Sequence, residues 1–489
     1  MTFALLALAA ISYALLQSLV APALPDIQHA LHTSVDSVSW VLTAYLLSAS
    51  IATPVIGRLG DMYGKQRLLV AVLVVLCIGT VVSAVATSLA VALAGRVAQG
   101  AAGGIFPLAF GIIRDEFPRE RVAGGVGLMA ALAGAGGGLG VVLAGPIVDH
   151  LSFHYLFWFP LLPLVLATVA IQFFVPESPI RVPGRVNWTG AALMSAGLAI
   201  VLIAVSETPR WHWLSAKTLV AFAVGAVLLV AWVRSEVRSE HPLVDMRMMR
   251  IRGVWTTNAV AFLLGFGMYA SFILLPELVE TPPRVGYGFG ASVTGAGLFL
   301  VPTTLAMLIA GAQTGRLEKR FGSKPPLLAG AAITAASYVF LAFARSERWE
   351  IYVAALLLGT GIGLAFAAMV NLIIENVGPA ETGIATGMNA VTRTVGGAFG
   401  GAAVASILAA TVAAGYPSAH GFTVAFASCA IALAFGVVVG LAIPQRRPVD
   451  AFVRHEVGDL SELAADGVPG GVAAAGALGD RLEGRRVEP

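Results

Sequence analysis

The chain has 489 residues, of which 58% are hydrophobic and only 12% are charged, and its formal net charge is +3. Soluble domains carry about 25% charged residues, and a polyphosphate partner requires a stronger basic balance. The composition therefore excludes a soluble multidomain enzyme, a disordered chain and a nucleic-acid-binding protein, and it indicates a polytopic membrane protein. Cys77 and Cys429 both lie inside apolar runs. The sequence thus supports neither a disulfide framework nor a metal site, and we expect no cofactor.

Fourteen apolar runs are long enough to cross a bilayer, which takes about 20 residues of helix. The period-two alternation of outer-membrane barrels does not occur in them, so we predict an all-α fold. The runs lie near residues 3–24, 38–57, 68–88, 90–112, 122–146, 153–175, 188–206, 217–233, 254–276, 292–314, 327–344, 350–374, 383–411 and 421–443. Residues 445–489 are polar and rich in Gly, Ala and Arg, and we predict a disordered cytoplasmic tail there.

The distribution of Lys and Arg predicts the orientation in the membrane. With the N-terminus in the cytoplasm, 23 of the 30 basic residues fall in cytoplasmic segments and five in outer loops, while Arg96 and Arg393 lie inside helices. Cytoplasmic loops of membrane proteins carry an excess of Lys and Arg. We therefore expect both termini to be cytoplasmic.

The chain contains an internal repeat. Residues 57–69 (GRLGDMYGKQRLL) match residues 315–327 (GRLEKRFGSKPPL) at a shift of 258, and a set of glycines in helix 5 recurs in helix 13 at a shift of 260. The two shifts are nearly equal, so helices 1–6 and 9–14 are copies in parallel orientation, as in transporters built from two six-helix halves. We predict a six-helix bundle at 1–176, two inserted linker helices at 177–250 and a second six-helix bundle at 251–444.

These features resemble the fourteen-helix drug/proton antiporter branch of the major facilitator superfamily, over roughly residues 15–443. The resemblance rests on WVLTAYLL (40–47) followed by GRLGDMYGKQR (57–67), on LAGRVAQGAAGG (93–104), on the Gly-rich helix ending in LAGP (134–146), and on GIATGMNAVTRTVGGAFGG (383–401). It implies a major-facilitator fold, substrate export by alternating access, and a chain that acts as a monomer in the plasma (inner) membrane of a bacterium.

The segment 57–67 is predicted to be a gating loop. Its glycines allow two helix ends to approach closely, and its one acid adds nothing to a positive-inside signal. The resemblance implies that Asp61 closes the cytoplasmic side by meeting a helix N-terminus in the other half, where a carboxylate is favoured. The alternative is an orientation loop with turn glycines. The residues of this predicted gate are Gly57, Arg58, Asp61, Gly64, Lys65 and Arg67.

Two arginines lie inside helices. Arg96 is about 9 Å from the outer end of helix 4 at 1.5 Å per residue, with Gln99 on the same face, and the resemblance implies that it tunes a nearby acid. Snorkelling to the surface is the alternative. Arg393 is about 15 Å deep in helix 13, with Asn389 one turn away. An intramembrane Arg costs at least about 2.5 kcal/mol, so we expect Arg393 to face a cavity or a partner, the alternative being a structural tie between helices.

Helix 5 is rich in glycine and ends in a Gly-Pro step. Gly136 and Gly140 permit a close helix crossing, and Gly145 with Pro146 is expected to bend or end the helix. The resemblance implies a bendable contact between the two halves, of the kind found in exporters.

One departure from the branch concerns the proton. The resemblance expects an acid midway along helix 1, nine residues before the Pro of an ALP step, and that position is Leu16. No carboxylate lies well inside any of the fourteen apolar runs. Asp26 and Asp61 are weak candidates for the proton carrier, and Gln17 marks the polar position beside the missing acid.

The substrate cavity is expected between the halves near the midplane. Apolar walls with few polar groups suit lipophilic molecules better than sugars or phosphates. Aromatic residues at helical spacing also serve as core or lipid-facing residues, and that alternative stays open. The candidate lining residues are Phe106, Phe110, Asn258, Phe262, Phe266, Tyr269 and Asn371.

The sequence leaves three functions of different classes. The first is an exporter of lipophilic molecules (drugs, antibiotics or a self-made metabolite) in exchange for protons. The second is an importer or facilitator on the same scaffold, which the missing acid of helix 1 favours. The third is an enzyme or receptor, for which the spans offer no nucleophile–base pair, metal-ligand cluster or phosphate-binding loop.

Overall fold

The computed structural model describes residues 1–178, 186–378, 381–413 and 415–444, and the predicted tail 445–489 lies outside them. Fourteen long helices dominate the described residues. They are α1 (Thr2–Ser18), α2 (Trp40–Tyr63), α3 (Lys65–Ala84), α4 (Leu89–Glu116), α5 (Arg119–His150), α6 (Tyr155–Phe174), α7 (Trp188–Ser206), α8 (Ala216–Arg238), α9 (Arg252–Glu280), α10 (Val293–Phe321), α11 (Lys324–Phe343), α12 (Arg348–Asn376), α13 (Thr382–Ala410) and α14 (Ala419–Leu441).

Shorter elements connect the long helices. A 3₁₀ turn at Ala101–Gly104 divides α4 into Leu89–Gly100 and Ile105–Glu116, and a second 3₁₀ turn spans Pro283–Val285. Four short helices lie at Leu24–Ala30, Val35–Val38, Thr208–Trp211 and Met246–Arg250. Two antiparallel two-residue strands, β1 (Val412–Ala413) and β2 (Tyr416–Pro417), lead into α14.

The predicted all-α membrane fold is confirmed. Thirteen helices of the described residues are long and apolar enough to cross a membrane, and α1, with 17 residues, is a shorter apolar helix. These helices agree with the predicted apolar runs to within a few residues at most boundaries.

The two repeated segments are helical, and their prediction as loops was wrong. Helix α2 continues to Tyr63 and α10 continues to Phe321. The helices end at Gly64 (φ +112°) in the first repeat and at Gly322 (φ +79°) in the second. Hydropathy locates the apolar part of a helix, whereas Arg, Lys and Glu continue the same helix into water with little loss of propensity. The helix stops where a backbone conformation with positive φ favours glycine.

The two halves meet along two helix pairs. Helix α5 packs along α10, and α2 packs against α13. Helices α7 and α8 pack on each other, and α7 also contacts α2 and α13. The inserted pair therefore lies beside the α2–α13 side of the molecule.

The glycines of α5 face two different neighbours. Gly134, Gly138 and Gly145 lie against Met307, Thr304 and Thr294 of α10, in the other half. Gly136 and Gly140 lie against α1, so the close helix crossing predicted for this pair is with a helix of their own half. A period of four residues identifies a close-packed face but not the helix that packs on it. Pro146 does not end the helix either, since α5 continues to His150.

Candidate gates and transport pathway

The end of α2 meets the start of α13 at a pair of glycines, at the end of the molecule that we predict to be cytoplasmic. A methyl group at Gly57 would lie 2.6 Å from the carbonyl oxygen of Gly383, so neither helix has room for a side chain there. The Oδ2 atom of Asp61 accepts a hydrogen bond of 3.3 Å from the backbone N–H of Ile384, in the first turn of α13. The exposed fraction of Asp61 is only 1%. A buried carboxylate at a helix N-terminus is favoured by the free N–H groups and by the helix dipole.

Lys65 joins two acids behind this contact. Its Nζ atom lies 2.6 Å from Oδ2 of Asp115 and 3.7 Å from Oδ1 of Asp61, and all three side chains are almost fully buried. Ser178 also donates a hydrogen bond to Asp115. Because two buried negative charges surround one buried positive charge, removal of the ammonium group would leave both acids uncompensated.

Arg114 is a residue of this region that sequence reasoning counted only for orientation. Its guanidinium donates to the carbonyl oxygens of Val377 (2.9 Å) and Gly378 (3.1 Å) and to the hydroxyl of Thr382. It therefore ties the end of α4 to the end of α12 and the start of α13. A cation is favoured at a helix C-terminus, where the last carbonyl groups lack partners within the helix.

The other predicted gate residues have separate positions. Glu177 accepts hydrogen bonds from the backbone N–H groups of Gln66 (3.1 Å) and Arg67 (3.2 Å), and it caps the start of α3. The exposed Arg67 lies 3.7 Å from the same carboxylate, not beside Asp61. A methyl group at Gly64 would lie 2.7 Å from the Glu177 carboxyl group. The Nε atom of Arg58 is buried with no acceptor among the described residues.

The second repeat forms a related contact between α10 and α5. A methyl group at Gly315 would lie 2.6 Å from the Cα atom of Gly124. Glu318, in the last turn of α10, is 5% exposed and accepts a 2.6 Å hydrogen bond from Asn371 Nδ2, which also contacts the carbonyl oxygen of Ala123 at 3.2 Å. Asn371, predicted as a lining residue of the substrate cavity, therefore belongs to this contact instead. Sequence reasoning missed Glu318 because it placed the residue in a loop.

Arg96 is fixed at the middle of the N-terminal half. Its side chain is fully buried and does not snorkel. It donates to the carbonyl oxygens of Val41 and Leu16 (both 3.1 Å) and to Oε1 of Gln99 (2.7 Å), and it lies 4.3 Å from the centre of the Tyr45 ring. Gln99 Nε2 in turn lies 3.3 Å from the hydroxyl groups of Thr80 and Ser83. Several acceptors and one aromatic face thus compensate this guanidinium.

Tyrosines connect this site with the other half. The rings of Tyr13 and Tyr45 are 6.1 Å apart, and Tyr13 packs edge-on to Phe106, which stacks on Phe110. Gln17, one turn after Tyr13, donates a 3.3 Å hydrogen bond to the hydroxyl of Tyr269 in α9. The interface between α1 and α9 is therefore polar at this level.

Arg393 lies in α13, in the same half as Tyr269. Its guanidinium carbon is 4.3 Å from the centre of the Phe366 ring. It lines a cavity of about 10 Å³ together with Leu264, Met268, Ile362, Phe366 and Met369. That volume is at the lower limit for one water molecule, so a substrate enters only when the helices separate. Asn389 Nδ2, one turn away, donates to Oδ1 of Asn258 (2.9 Å).

The remaining candidate lining residues lie elsewhere. The ring of Phe262 is 5.7 Å from that of Phe399. Phe399 in turn packs against Phe222 of α8 and Trp213 of the connection between α7 and α8. The backbone of Phe266 in α9 packs closely against Gly400 in α13. Phe262 thus contributes to the contact with the inserted helices.

The candidate proton carriers also differ in position. Leu16 is fully buried in α1, so the site expected for an acid is apolar. Asp26 is exposed on the short helix after α1. Every carboxylate on the long helices within the described residues lies in a first or last turn, and the membrane interior contains the two arginines.

Two copies of a helical unit, closed against each other at one end and polar at the level of two buried arginines, define a membrane transporter built for alternating access. A family model described as Major Facilitator Superfamily matches residues 6–401 and again 257–479, and the chain belongs to that superfamily. The proposed membership is thereby confirmed.

Known proteins agree with this assignment. The Multidrug resistance protein Stp of Mycobacterium tuberculosis is 27% identical over 80% of this chain and 72% of its own length. The Uridine/deoxyuridine transporter of Lactococcus lactis is 28% identical over 76% of this chain and 78% of its own length. Among solved structures, the proton:xylose symporter XylE superposes with a TM-score of 0.65 at 13% identity, covering 91% of this chain and 95% of that one. This last likeness concerns the fold alone.

Proposed function

We propose that the chain exports lipophilic small molecules across a bacterial plasma membrane by alternating access, in exchange for protons, as in the drug/proton antiporter branch. Both termini are then cytoplasmic, and the chain acts as a monomer. The N-terminal bundle (1–176), the linker pair (177–250) and the C-terminal bundle (251–444) form the transport machine.

The contact between α2 and α13 carries this proposal. Asp61 meets the backbone N–H of Ile384 beside the close approach of Gly57 and Gly383. A hydrogen bond and a close glycine approach join the two helix ends at that point, and such contacts can break and reform. Polar contacts that exchange for water on opening are suited to a reversible gate, because each hydrogen bond lost is replaced by one to water.

The α5–α10 contact supports export. It continues from Gly124 and Gly315 to Gly145 and Thr294, so small residues line almost the full length of this helix pair. Such a face allows two helices to shift against each other at short distance. The name of the Mycobacterium relative supports the same function, whereas the name of the Lactococcus relative supports the second candidate, import of a specific small molecule.

The test is dye efflux from bacterial cells that lack their own drug pumps and express this chain. Cells are loaded with lipophilic fluorescent dyes of three kinds (cationic, neutral and anionic), and efflux is followed after energising. We expect efflux of at least one dye, and loss of this efflux on addition of a protonophore. Nigericin and valinomycin, added separately, distinguish the pH gradient from the membrane potential as the driving force.

Cells with the empty vector are the control for leakage and residual pumps. Accumulation of a dye above the vector control would contradict export and favour the importer. Efflux that persists with the protonophore would contradict proton exchange.

A further inference from the structure

We infer that the transported molecule is a lipophilic anion, and that Arg393 binds its acidic group. The inference concerns the class of substrate that the site around Arg393 binds. It rests on the proposed function for one point, that the chain is a transporter. It starts from the two arginines in the membrane interior, whose surroundings differ.

The Arg96 guanidinium has partners within the protein for its Nε and Nη1 atoms, while its Nη2 atom is buried without an acceptor among the described residues. Two backbone carbonyl oxygens and Gln99 accept its hydrogen bonds, and the face of Tyr45 covers it. It is therefore a structural and electrostatic element of the N-terminal half.

The Arg393 guanidinium has no such set. No residue of the described ranges is found to accept a hydrogen bond from it or to form a salt bridge with it, and its Nε atom is buried without an acceptor. The face of Phe366 lies 4.3 Å from its guanidinium carbon. A charged group in the membrane interior requires a partner or a water-filled cavity, and the 10 Å³ cavity beside Arg393 is too small to hydrate a guanidinium.

The fixed charge of the site is positive. The described carboxylates of the long helices lie in terminal turns, and the α1 position at which the resemblance expects an acid is Leu16. The residues that line the cavity beside Arg393 include no carboxylate, and the charge of Arg393 disfavours an organic cation next to it. An anionic substrate supplies the missing partner of Arg393.

The groups around Arg393 suit an amphiphilic anion. Leu264, Met268 and Ile362 form an apolar wall on one side. Gln17 and Tyr269, which share a 3.3 Å hydrogen bond between α1 and α9, offer further hydrogen-bonding groups at the interface of the two halves. A guanidinium binds a carboxylate or a similar planar oxyanion through two parallel hydrogen bonds, while the apolar wall accommodates an aromatic or polycyclic body.

Direction of transport agrees with this charge. In a cell whose interior is negative, the membrane potential drives an anion outward. The electrical gradient then contributes to export without a carboxylate in α1.

The experiment measures binding to the purified full-length protein in lipid nanodiscs. Three probes share one ring system and differ in charge: naphthalene-1-acetate, naphthalene-1-ethanol and naphthylmethyl-trimethylammonium. Each is titrated by equilibrium dialysis with empty nanodiscs as the reference for partitioning. We expect the acetate to bind about tenfold or more tightly than the cation, with the alcohol between them.

Three variants locate the charge. In R393Q, we expect affinity for the acetate to fall about tenfold and affinity for the alcohol to stay unchanged, because only the anion loses a charged partner. In R393K, which keeps the charge but not the planar fork, we expect a smaller loss. The matched control is R210Q, which changes an Arg of the loop between α7 and α8 that pairs with Glu207. It should bind all three probes like the wild type.

Equal or tighter binding of the cation in the wild-type protein would overturn the inference, as would unchanged binding of the acetate in R393Q. If R393Q does not fold, the inference is still tested by the order of affinities of the three probes for the wild-type protein and by the loss of acetate affinity in R393K. Because binding is measured without a gradient, failure of proton-driven efflux leaves this result intact, and failure of anion binding leaves export of other molecules intact.

Discussion

The two copies of the repeat form closely related contacts between the halves. In the first, Gly57 at the end of α2 meets Gly383 at the start of α13, and in the second, Gly315 at the end of α10 meets Gly124 at the start of α5. Gly57 and Gly315 are related by the same shift of 258 residues that relates the two segments in the sequence. The glycine approach is thus common to both contacts.

Their charges differ. At the α2–α13 contact, Lys65 lies between Asp61 and Asp115, with the ammonium 2.6 Å from the latter. At the α10–α5 contact, the residue equivalent to Lys65 is Ser323, which donates a hydrogen bond to Glu375.

A second exchange accompanies the first. The stem of Lys65 lies against Gly111, where a methyl group would be 2.6 Å from its Cδ atom. The residue 260 positions later is Asn371, whose amide donates a hydrogen bond to Glu318. A Lys over a Gly in one copy is therefore replaced by a Ser and an Asn in the other.

This difference assigns distinct roles to the two contacts. The α2–α13 contact is held by charged groups over a short distance and suits a lock that opens and closes. The α10–α5 contact is held by neutral donors and small residues along the whole helix pair, and suits a hinge that stays closed. Two parallel copies thus retain one backbone geometry and diverge in the chemistry that stabilises it.

The largest effect is expected from Lys65→Met. It leaves Asp61 and Asp115 buried without their cation, and breaking a buried ion pair from one side costs about 3 to 5 kcal/mol. Thermal unfolding in detergent, followed with a thiol-reactive dye, measures the loss of stability. The double variant Lys65→Met/Asp115→Asn removes one of the two orphaned acids and should recover part of it. Unfolding temperatures equal to that of the wild type would contradict the account of this ion pair.

A smaller effect is expected from Asp61→Asn, with Glu318→Gln, which changes the buried acid of the other contact, as the comparison. Loss of the charge weakens the bond to the start of α13, and we expect turnover to fall about tenfold, equivalent to about 1.4 kcal/mol, with less change in substrate affinity. Glu318→Gln keeps a neutral hydrogen-bonded contact and should change turnover much less. Transport rates in proteoliposomes at saturating substrate provide the measurement. Equal turnover in the wild type and in Asp61→Asn would contradict the role of Asp61 as a lock at the α2–α13 contact.

The smallest effect is expected from Ser323→Ala. It removes one hydrogen bond to Glu375 near the surface, worth about 0.5 to 1.5 kcal/mol. The same unfolding assay should therefore register a much smaller shift than for Lys65→Met. A shift as large as that of Lys65→Met would mean that the second contact depends as strongly on its polar groups as the first.

The sequence predicted the fold because apolar runs of about 20 residues and the repeat both leave strong signals. It placed Gly57 and Asp61 in a shared segment, although that segment is helix and not loop. The residues that contact Gly57 and Asp61 could not be predicted from the sequence. Asp115 and Arg114 are distant from them in the chain, and a cytoplasmic Arg carries the same orientation signal whether or not it binds a helix end.

The interior residues illustrate the same limit. The depth of Arg96 and Arg393 follows from counting residues, but only the structure places carbonyl acceptors around the first and an aromatic face beside the second. For Phe262, helical spacing could not distinguish a cavity wall from a contact with the inserted helices. Glycine spacing in α5 likewise did not tell α1 from α10.

The most direct test of the lock and hinge measures a distance between the halves. Spin labels are attached at Tyr63→Cys and Phe321→Cys, two exposed positions at the ends of α2 and α10, in a Cys77→Ser/Cys429→Ala background in nanodiscs. Double electron–electron resonance then gives the distribution of distances. We expect Asp61→Asn to increase the population of a longer distance, while Glu318→Gln leaves the distribution like that of the parent. Identical distributions for the parent and Asp61→Asn would contradict a lock at the α2–α13 contact.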